Sequence, residues 1–224
     1  MPINTIAYFN IIKELALTNT CLVAVSKTKP NEDLMELYEL GQRDFGENYV
    51  QELVDKAASL PKDIRWHFIG HLQSNKVKYI APFVYLIHGV DSLKLLQEIN
   101  KQAIKNNRVI DCLLQIHIAE EESKFGLDET ELNQIKDQIN GLNNIRICGL
   151  MGMASFSEDQ HKVRDEFKFL NNLFIKHKSW FIKHSSKDPI LSMGMSGDYP
   201  MAIEEGSTMV RIGSLLFGAR NYAE

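Results

Sequence analysis

The sequence predicts a (β/α)8 barrel, a closed ring of eight parallel strands surrounded by helices. Eight short apolar runs alternate with segments of helical spacing, which is the pattern of parallel strands joined by right-handed crossovers. Many of the runs are apolar on consecutive residues, as strands covered on both faces should be. The first run begins at residue 21 and the last ends at 218, so we expect one domain over residues 1–224. A doubly wound open sheet is the alternative.

The predicted strands are the apolar runs themselves, each followed by small or polar residues. They are CLVAVSK (21–27), RDFGEN (43–48), RWHFIG (65–70), VYLIHGVD (84–91), VIDCLLQIHI (109–118), RICGLMGM (146–153), PILSMGMS (189–196) and MVRIGSLLFG (209–218). Eight units in this length match a small barrel better than an open sheet.

Helix-like segments lie between these runs. The first, NEDLMELYELG, has Asn31 as the predicted N-cap and Gly41 as its end signal. The others are recognised by apolar spacing of three and four residues or by an Asp-Ser or glycine boundary. They are NYVQELVDKAASL (48–60), DSLKLLQEINKQAIKN (91–106), DETELNQIKDQING (128–141), DQHKVRDEFKFLNNLFIKH (159–177) and the short DYPMAIEEG (198–206).

Composition excludes several classes of protein. The 224 residues are 44% hydrophobic and 24% charged, with a net charge of −4, so no overall basic field attracts nucleic acid. No apolar run approaches the roughly 18 residues of a membrane span, and the N-terminus has no basic leader. The three cysteines lie in or beside apolar runs without metal-ligand spacing. We therefore expect a cytoplasmic protein with reduced cysteines and no membrane or nucleic-acid partner.

Functional groups of a barrel collect at the C-terminal ends of its strands. Lys27 occupies this position after the first run, CLVAVS. Partial burial there lowers the pKa of an amine and makes it a nucleophile, which forms Schiff bases with carbonyl compounds such as pyridoxal phosphate. The alternative is a lysine that extends from the strand end into solvent.

The last two strands carry small residues and hydroxyls. LSMGMSGD contains Ser196, and MVRIGSLLFGAR contains Gly213 and Ser214. Phosphate sites of barrels are frequently built from the loops after strands seven and eight, where exposed N–H groups bind a dianion. Each glycine alone is better explained as a tight turn, but three such features at one end of the barrel favour a phosphate site.

Arg211 interrupts the apolar eighth strand, between Val210 and Ile212. A buried guanidinium needs a partner. The partner is either a carboxylate, Glu204 or Glu205, or the ring nitrogen of an aromatic cofactor. In the second case the arginine keeps that nitrogen unprotonated and weakens the ring as an electron sink.

Seven strings together resemble the pyridoxal phosphate homeostasis protein family, the single-domain relatives of the alanine racemase barrel. In chain order they are VSKTKP (25–30), FGENYVQE (45–52), WHFIGHLQSNK (66–76), SKFGL (123–127), GLMGM (149–153), LSMGMSGD (191–198) and GSTMVRIGSLLFGAR (206–220). They cover residues 21–220, and their common order makes the resemblance specific.

The resemblance implies an alanine-racemase-type barrel, fold type III of the pyridoxal phosphate proteins. It implies that Lys27 forms an aldimine with pyridoxal 5′-phosphate and that Arg211 contacts the pyridine nitrogen. It implies phosphate contacts from Ser196, Gly213 and Ser214, and it places Asn48 near the cofactor. It also implies a carrier that takes part in intracellular vitamin B6 homeostasis, with pyridoxal-phosphate-dependent apoenzymes as recipients.

Two other functions stay open at this stage. A weak racemase would need a second base opposite Lys27, for which His71, His88 and Tyr49 are candidates. A metal-dependent hydrolase would need several histidines at one mouth, and the spacing of the histidines does not support such a site.

The chain has no second domain after strand eight, which favours a monomer. The sequence leaves open whether Lys29, Lys76 or Lys124 takes part in cofactor exchange.

Overall fold

The computed structural model describes residues 3–119, 125–185 and 187–218. Eight parallel strands form a closed barrel in the order β1 to β8, with β8 paired to β1 through Val23 and Arg211 among others. The predicted (β/α)8 fold is therefore confirmed. The strands are β1 Cys21–Val25, β2 Asp44–Glu47, β3 Arg65–Phe68, β4 Leu86–Val90, β5 Ile110–Gln115, β6 Ile145–Met151, β7 Ile190–Ser192 and β8 Met209–Ile212.

Helices follow each strand on the outside of the barrel, and one precedes β1. They are α1 Thr5–Ala16, α2 Asn31–Glu39, α3 Val50–Ser59, α4 Val77–Ile80, α5 Leu93–Lys105, α6 Glu129–Gln138, α7 Gln160–Ser185, α8 Tyr199–Glu204 and α9 Ser214–Phe217, with a 3-10 turn at Ser74–Lys76. Among the described residues, no helix is both long and apolar enough to cross a membrane.

Several predicted boundaries differ from the structure, and two of the differences have a clear physical reason. The eighth strand ends at Ile212 rather than at 218, because the chain turns at Gly213 and Ser214 begins α9. Asn31 is the first residue of α2 rather than its N-cap, since the extended Pro30 precedes the helix and the Asn31 side chain donates to Ser59 Oγ at 3.0 Å. The Asp-Ser boundary is confirmed, because the Ser92 hydroxyl accepts from the N–H of Leu95 in the first turn of α5.

The core has two parts, one between the barrel wall and the helices and one inside the barrel. The inner part is a small apolar cluster. Its buried members include Val23, Leu86, Leu113, Cys148 and Met209, which pack together inside the barrel. Side chains that alternate along each strand fill the space, so the barrel is a packed core rather than a pore.

Charged side chains close the N-terminal end of the barrel, which we call the floor. Asp44 accepts from Arg65 Nε at 2.7 Å, and Asp111 accepts from Arg146 Nε at 2.5 Å and from Lys187 Nζ at 2.9 Å. These residues stand at the first positions of their strands or just before them. The opposite end, the mouth, carries the residues that the sequence predicts to be functional.

Candidate functional site

Lys27 lies in the turn that follows β1, and its side chain is half-buried. The turn is fixed by its backbone: Ser26 N–H donates to Gly46 O on β2 at 3.0 Å, and Lys29 N–H donates to Ser26 O at 3.1 Å. Thr28 adopts a φ of 63°, a left-handed conformation that costs energy in a β-branched residue. Such a turn persists only where the surroundings hold it.

A buried ionic network between β2 and α3 stabilises the turn of Lys27. Lys56 of α3 donates to Ser26 O, to Glu47 Oε1 and to Glu52 Oε1, each at 2.7 Å. Glu47 Oε1 also accepts from the Ser26 hydroxyl at 2.6 Å, and Glu52 Oε1 accepts from Thr28 N–H at 2.6 Å. Burial raises the pKa of Glu47 to about 6, although Lys56 acts against the rise. The backbone before and after Lys27 is therefore fixed by side chains of β2 and α3.

The loop after β7 and the end of β8 lie against each other. Arg211 N–H donates to Gly194 O at 3.0 Å, and Gly213 N–H donates to Ser196 Oγ at 3.2 Å. Gly194 has a φ of 94°, and a Cβ there would lie 2.6 Å from the Ala202 methyl, so the loop needs glycine. Ser214 follows Gly213 and is exposed. The structure thus brings Ser196 and Gly213 together, with Ser214 next in the chain.

The Arg211 side chain is buried inside the barrel and makes its contacts with neutral groups. Its Nη1 donates to Ser192 Oγ at 2.7 Å and its Nη2 to Gly152 O at 3.0 Å. Burial lowers its pKa to about 10. The predicted carboxylate partners are wrong, because Glu204 and Glu205 both bind Arg164 instead.

Asn48 follows β2 and has a polar atom without a partner. Its Oδ1 is buried and makes no hydrogen bond within the described residues. Gly70, after β3, packs directly on its backbone: a Cβ there would lie 2.4 Å from Asn48 O. Most buried polar atoms are hydrogen-bonded, so an unpaired amide oxygen at the mouth is consistent with contact to a ligand.

The six predicted site residues occupy the ends of four neighbouring strands. Ser196 follows β7, Arg211 lies in β8 with Gly213 and Ser214 after its end, Lys27 follows β1 and Asn48 follows β2, in the order in which these strands pair. A Cβ on Gly213 would lie 3.2 Å from Val25 O, so the ends of β8 and β1 are in direct contact. The turn of Lys27 and the Ser196–Gly213 pair therefore belong to adjacent parts of one mouth.

Candidates for a second base are spread over different surroundings. His88 is fully buried inside the barrel, and Tyr49 is 60% exposed. His71 lies on the rim, where its Nδ1 is 3.2 Å from Asp91 Oδ2 and its ring stacks on Phe125 with centroids 4.0 Å apart.

Across the described ranges, no group of three or more His, Cys, Asp or Glu side chains is arranged to hold a metal ion.

Three other lysines, Lys29, Lys76 and Lys124, are candidates for cofactor exchange. Lys29 Nζ donates to Phe217 O at 2.7 Å, which ties the turn of Lys27 to α9. Lys76 is exposed in the 3-10 turn, and Lys124 lies outside the described residues.

The chain is similar over most of its length to a family model, to named relatives and to a solved structure. The family model for the N-terminal domain of alanine racemase matches residues 7–221. A pyridoxal phosphate homeostasis protein of Aquifex aeolicus is 43% identical over 202 residues, which are 90% of this chain and 87% of the relative. The human protein of that name is 40% identical over 224 residues, covering 95% of this chain and 81% of the relative. The structure of PipY from Synechococcus elongatus with PLP bound has 34% identity and a TM-score of 0.79, covering 89% of this chain and 93% of PipY.

Proposed function

Because this chain belongs to the pyridoxal phosphate homeostasis protein family, built on the alanine racemase N-terminal barrel, we propose that it binds pyridoxal 5′-phosphate at the mouth of the barrel. The observation that carries the proposal is the contact between the ends of β8 and β1, which places the Ser196–Gly213 pair beside the turn of Lys27. The PLP bound to PipY, a relative of similar length, supports it.

Each site residue has a role that its chemistry supports. Lys27 supplies the amine that bonds to the aldehyde carbon, with loss of one water. Ser196, Gly213 N–H and Ser214 supply hydrogen-bond donors for the phosphate. Arg211 meets the pyridine nitrogen, and the unpaired Oδ1 of Asn48 accepts a hydrogen bond from the ligand or a bound water. The absence of an ion pair to Arg211 within the described residues supports its role toward a neutral acceptor.

We assign the protein as a carrier rather than an enzyme. Bound pyridoxal phosphate supplies an aldehyde and an electron-accepting ring, and an arginine beside the ring nitrogen weakens that acceptor. A racemase also needs a second base at the substrate. His88 is buried below the mouth, His71 is engaged with Asp91 and Phe125, and Tyr49 is exposed. The names of the relatives, which are homeostasis proteins, support the same assignment.

The proposal also covers the oligomeric state of the carrier, its compartment and the proteins that receive the cofactor. We propose a monomeric single domain over residues 1–224 in the cytoplasm, with pyridoxal-phosphate-dependent apoenzymes as recipients. Cys21, Cys112 and Cys148 are free thiols, which suits a reducing compartment. Transfer is measured by mixing the loaded protein with an apoenzyme that needs the cofactor and following the gain of activity against free cofactor at the same concentration.

The test of binding is the absorption spectrum of the purified protein before and after addition of pyridoxal phosphate. We expect a visible band from a covalent adduct that borohydride fixes to the protein, and we expect Lys27→Ala to abolish it. Lys29→Ala is the matched control, because it removes an amine from the same turn but one that binds Phe217 O. An unchanged covalent band in Lys27→Ala would show that the assignment of the amine is wrong.

The test of the carrier assignment is exchange of the α-hydrogen of amino acids in heavy water. A carrier leaves this hydrogen in place, whereas a racemase exchanges it at rates typical of enzymes, about 1 per second or more. Fast exchange that disappears in Lys27→Ala would replace the carrier assignment by an amino-acid racemase or a related enzyme.

A further inference from the structure

Five side chains inside the barrel form one continuous hydrogen-bonded chain from the mouth to the floor. Arg211 Nη1 lies 2.7 Å from Ser192 Oγ, and the same oxygen lies 3.1 Å from His88 Nδ1. His88 Nε2 lies 2.9 Å from His67 Nδ1, and His67 Nε2 lies 3.0 Å from Asp44 Oδ1. The chain therefore joins a cation at the mouth to an anion at the floor through three neutral or titratable side chains.

Burial makes this chain costly unless every member is paired. Ser192, His88 and His67 are 0% exposed, Arg211 is 4% and Asp44 is 7% exposed. A buried polar group without a partner costs about 1–3 kcal/mol, and a buried charge costs more. The surrounding core of the barrel is apolar. Hydrogen-bonded networks in such a setting are stabilising only when they are complete, so the direction of each bond matters.

The two ends of the chain fix the direction of the outer two bonds, and the inner two bonds depend on the tautomers of the histidines. A guanidinium can only donate, so Ser192 Oγ accepts from Arg211. The Ser192 hydroxyl lies within hydrogen-bond distance of His88 Nδ1 and can donate its own proton there. In that arrangement His88 carries its proton on Nε2 and donates to His67 Nδ1, and His67 carries its proton on Nε2 and donates to the carboxylate of Asp44.

Other observations agree with this direction. Burial is the main cause that holds the pKa of His88 well below its ordinary value, so its ring is neutral. Burial raises the pKa of Asp44, but hydrogen bonds from Arg65 and His67 outweigh it and hold the pKa at about 2. The acceptor at the floor is thus a carboxylate at neutral pH, as the chain requires.

We propose that Ser192, His88 and His67 are positioning residues for Arg211: they hold its guanidinium at the mouth and link its charge to Asp44 by bonds that all run in one direction. The proposal rests on the proposed function, because Arg211 is the group that meets the ring nitrogen of the cofactor. Within the described residues no carboxylate is paired directly with the Arg211 guanidinium, although the charge of Asp198 acts on it, so its N–H groups that do not contact Ser192 or Gly152 are left for the ligand.

The first test needs no cofactor. The wild-type chain is labelled with ¹⁵N at its seven histidines, and the ring nitrogens are assigned by NMR at pH 7. We expect His67 and His88 to be neutral, each with its proton on Nε2. A cationic His67, or a His88 with its proton on Nδ1, overturns the proposal whether or not the chain binds pyridoxal phosphate.

The second test measures the effect on Arg211. Ser192→Ala removes the link that contacts the guanidinium, and Ser185→Ala is the matched control, since Ser185 is also 0% exposed but lies at the end of α7. We expect Ser192→Ala to weaken binding of pyridoxal phosphate about tenfold and to shift the visible band of the adduct, because the guanidinium loses its fixed orientation.

The outcomes of the two tests are distinguishable. A wild-type chain that fails to bind pyridoxal phosphate contradicts the proposed function, while the NMR measurement still decides the direction of the chain. If Ser192→Ala loses stability as Ser185→Ala does but keeps the wild-type affinity and spectrum, the chain is merely structural and the proposal is wrong. If Ser192→Ala does not fold, the proton positions in the wild-type protein give the answer.

Discussion

Glu47 and Lys56 form an ion pair of 2.7 Å that is enclosed between β2 and α3, directly below the turn of Lys27. Their side chains are 0% and 6% exposed. The pair reaches the turn through Ser26, whose hydroxyl binds Glu47 and whose carbonyl accepts from Lys56. A buried pair of this kind is a weak source of net stability, but breaking it leaves an uncompensated charge in the core.

Lys56→Met removes the cation and leaves Glu47 buried. We expect the free energy of unfolding to fall by about 3–5 kcal/mol, which denaturant titration at pH 7 measures. Lys101→Met is the control, because Lys101 is exposed and pairs with Glu98 on the surface, and it should change stability by less than about 1 kcal/mol. Equal effects of the two substitutions would show that the buried pair does not hold this region.

Asp44 predicts an acid-dependent term in stability. Hydrogen bonds from Arg65 and His67 overcome the effect of burial and lower its pKa from 3.8 to about 2 in the folded state. Its contribution is therefore complete above the unfolded pKa and is lost as the pH falls toward 2, a total of about 2 kcal/mol.

The measurement compares the wild-type chain with Asp44→Asn by denaturant unfolding at several pH values. About 1 kcal/mol of the stability difference between the two proteins should disappear between pH 5 and pH 3. A difference that stays constant over this range contradicts the prediction, since Asp44 would then have the same pKa in both states.

The proposed phosphate contacts predict a difference between two ligands. Ser196→Ala should weaken binding of pyridoxal phosphate about tenfold, the effect of one lost hydrogen bond to a charged group. Binding of pyridoxal, which has the aldehyde and the ring but no phosphate, should be unchanged. Ser59→Ala is a suitable control, because Ser59 lies at the far end of α3 and bonds to Asn31 and Asp55. A loss of affinity that is equal for both ligands would place Ser196 away from the phosphate.

Gly70 predicts a steric effect next to Asn48. A methyl group at this position would lie 2.4 Å from Asn48 O, so the backbone after β2 has to move. We expect Gly70→Ala to lower stability by about 2 kcal/mol and Tm by about 6 °C, as measured by thermal unfolding. In Gly197→Ala the added methyl meets nothing within 4 Å, and Tm should change little. Similar Tm values for both variants would contradict the close packing described here.

The sequence was sufficient to predict the fold because most of the strands are apolar and the segments between them have helical spacing. The error in β8 has a physical cause: Leu215, Leu216 and Phe217 continue the apolar run, but they belong to α9, and periodicity over four residues does not separate a strand from a helix. The turn at Gly213 was the available signal for the boundary.

The residues of the site were predicted from strand ends and from resemblance, while the groups that support them were not. Glu47 lies within the string FGENYVQE, but its pairing with Lys56 depends on how α3 packs on β2, which the sequence does not show. The predicted strands contain Ser192, His67 and His88, but the sequence does not show their contacts. These contacts cross the barrel and join residues that are separated by 21 and by 104 positions in the sequence. Counting alternate positions along β3, β4 and β7 could have placed them on the inner face of the barrel.

The ion pairs of the floor determine how a ligand can leave. Asp44 and Asp111, bound by Arg65, Arg146 and Lys187, plug the N-terminal end, and apolar side chains fill the middle. If a small molecule binds Lys27 as proposed, the described part of the barrel leaves the mouth as its route of arrival and departure. A recipient protein would then meet it either at the mouth, before release, or in water after release.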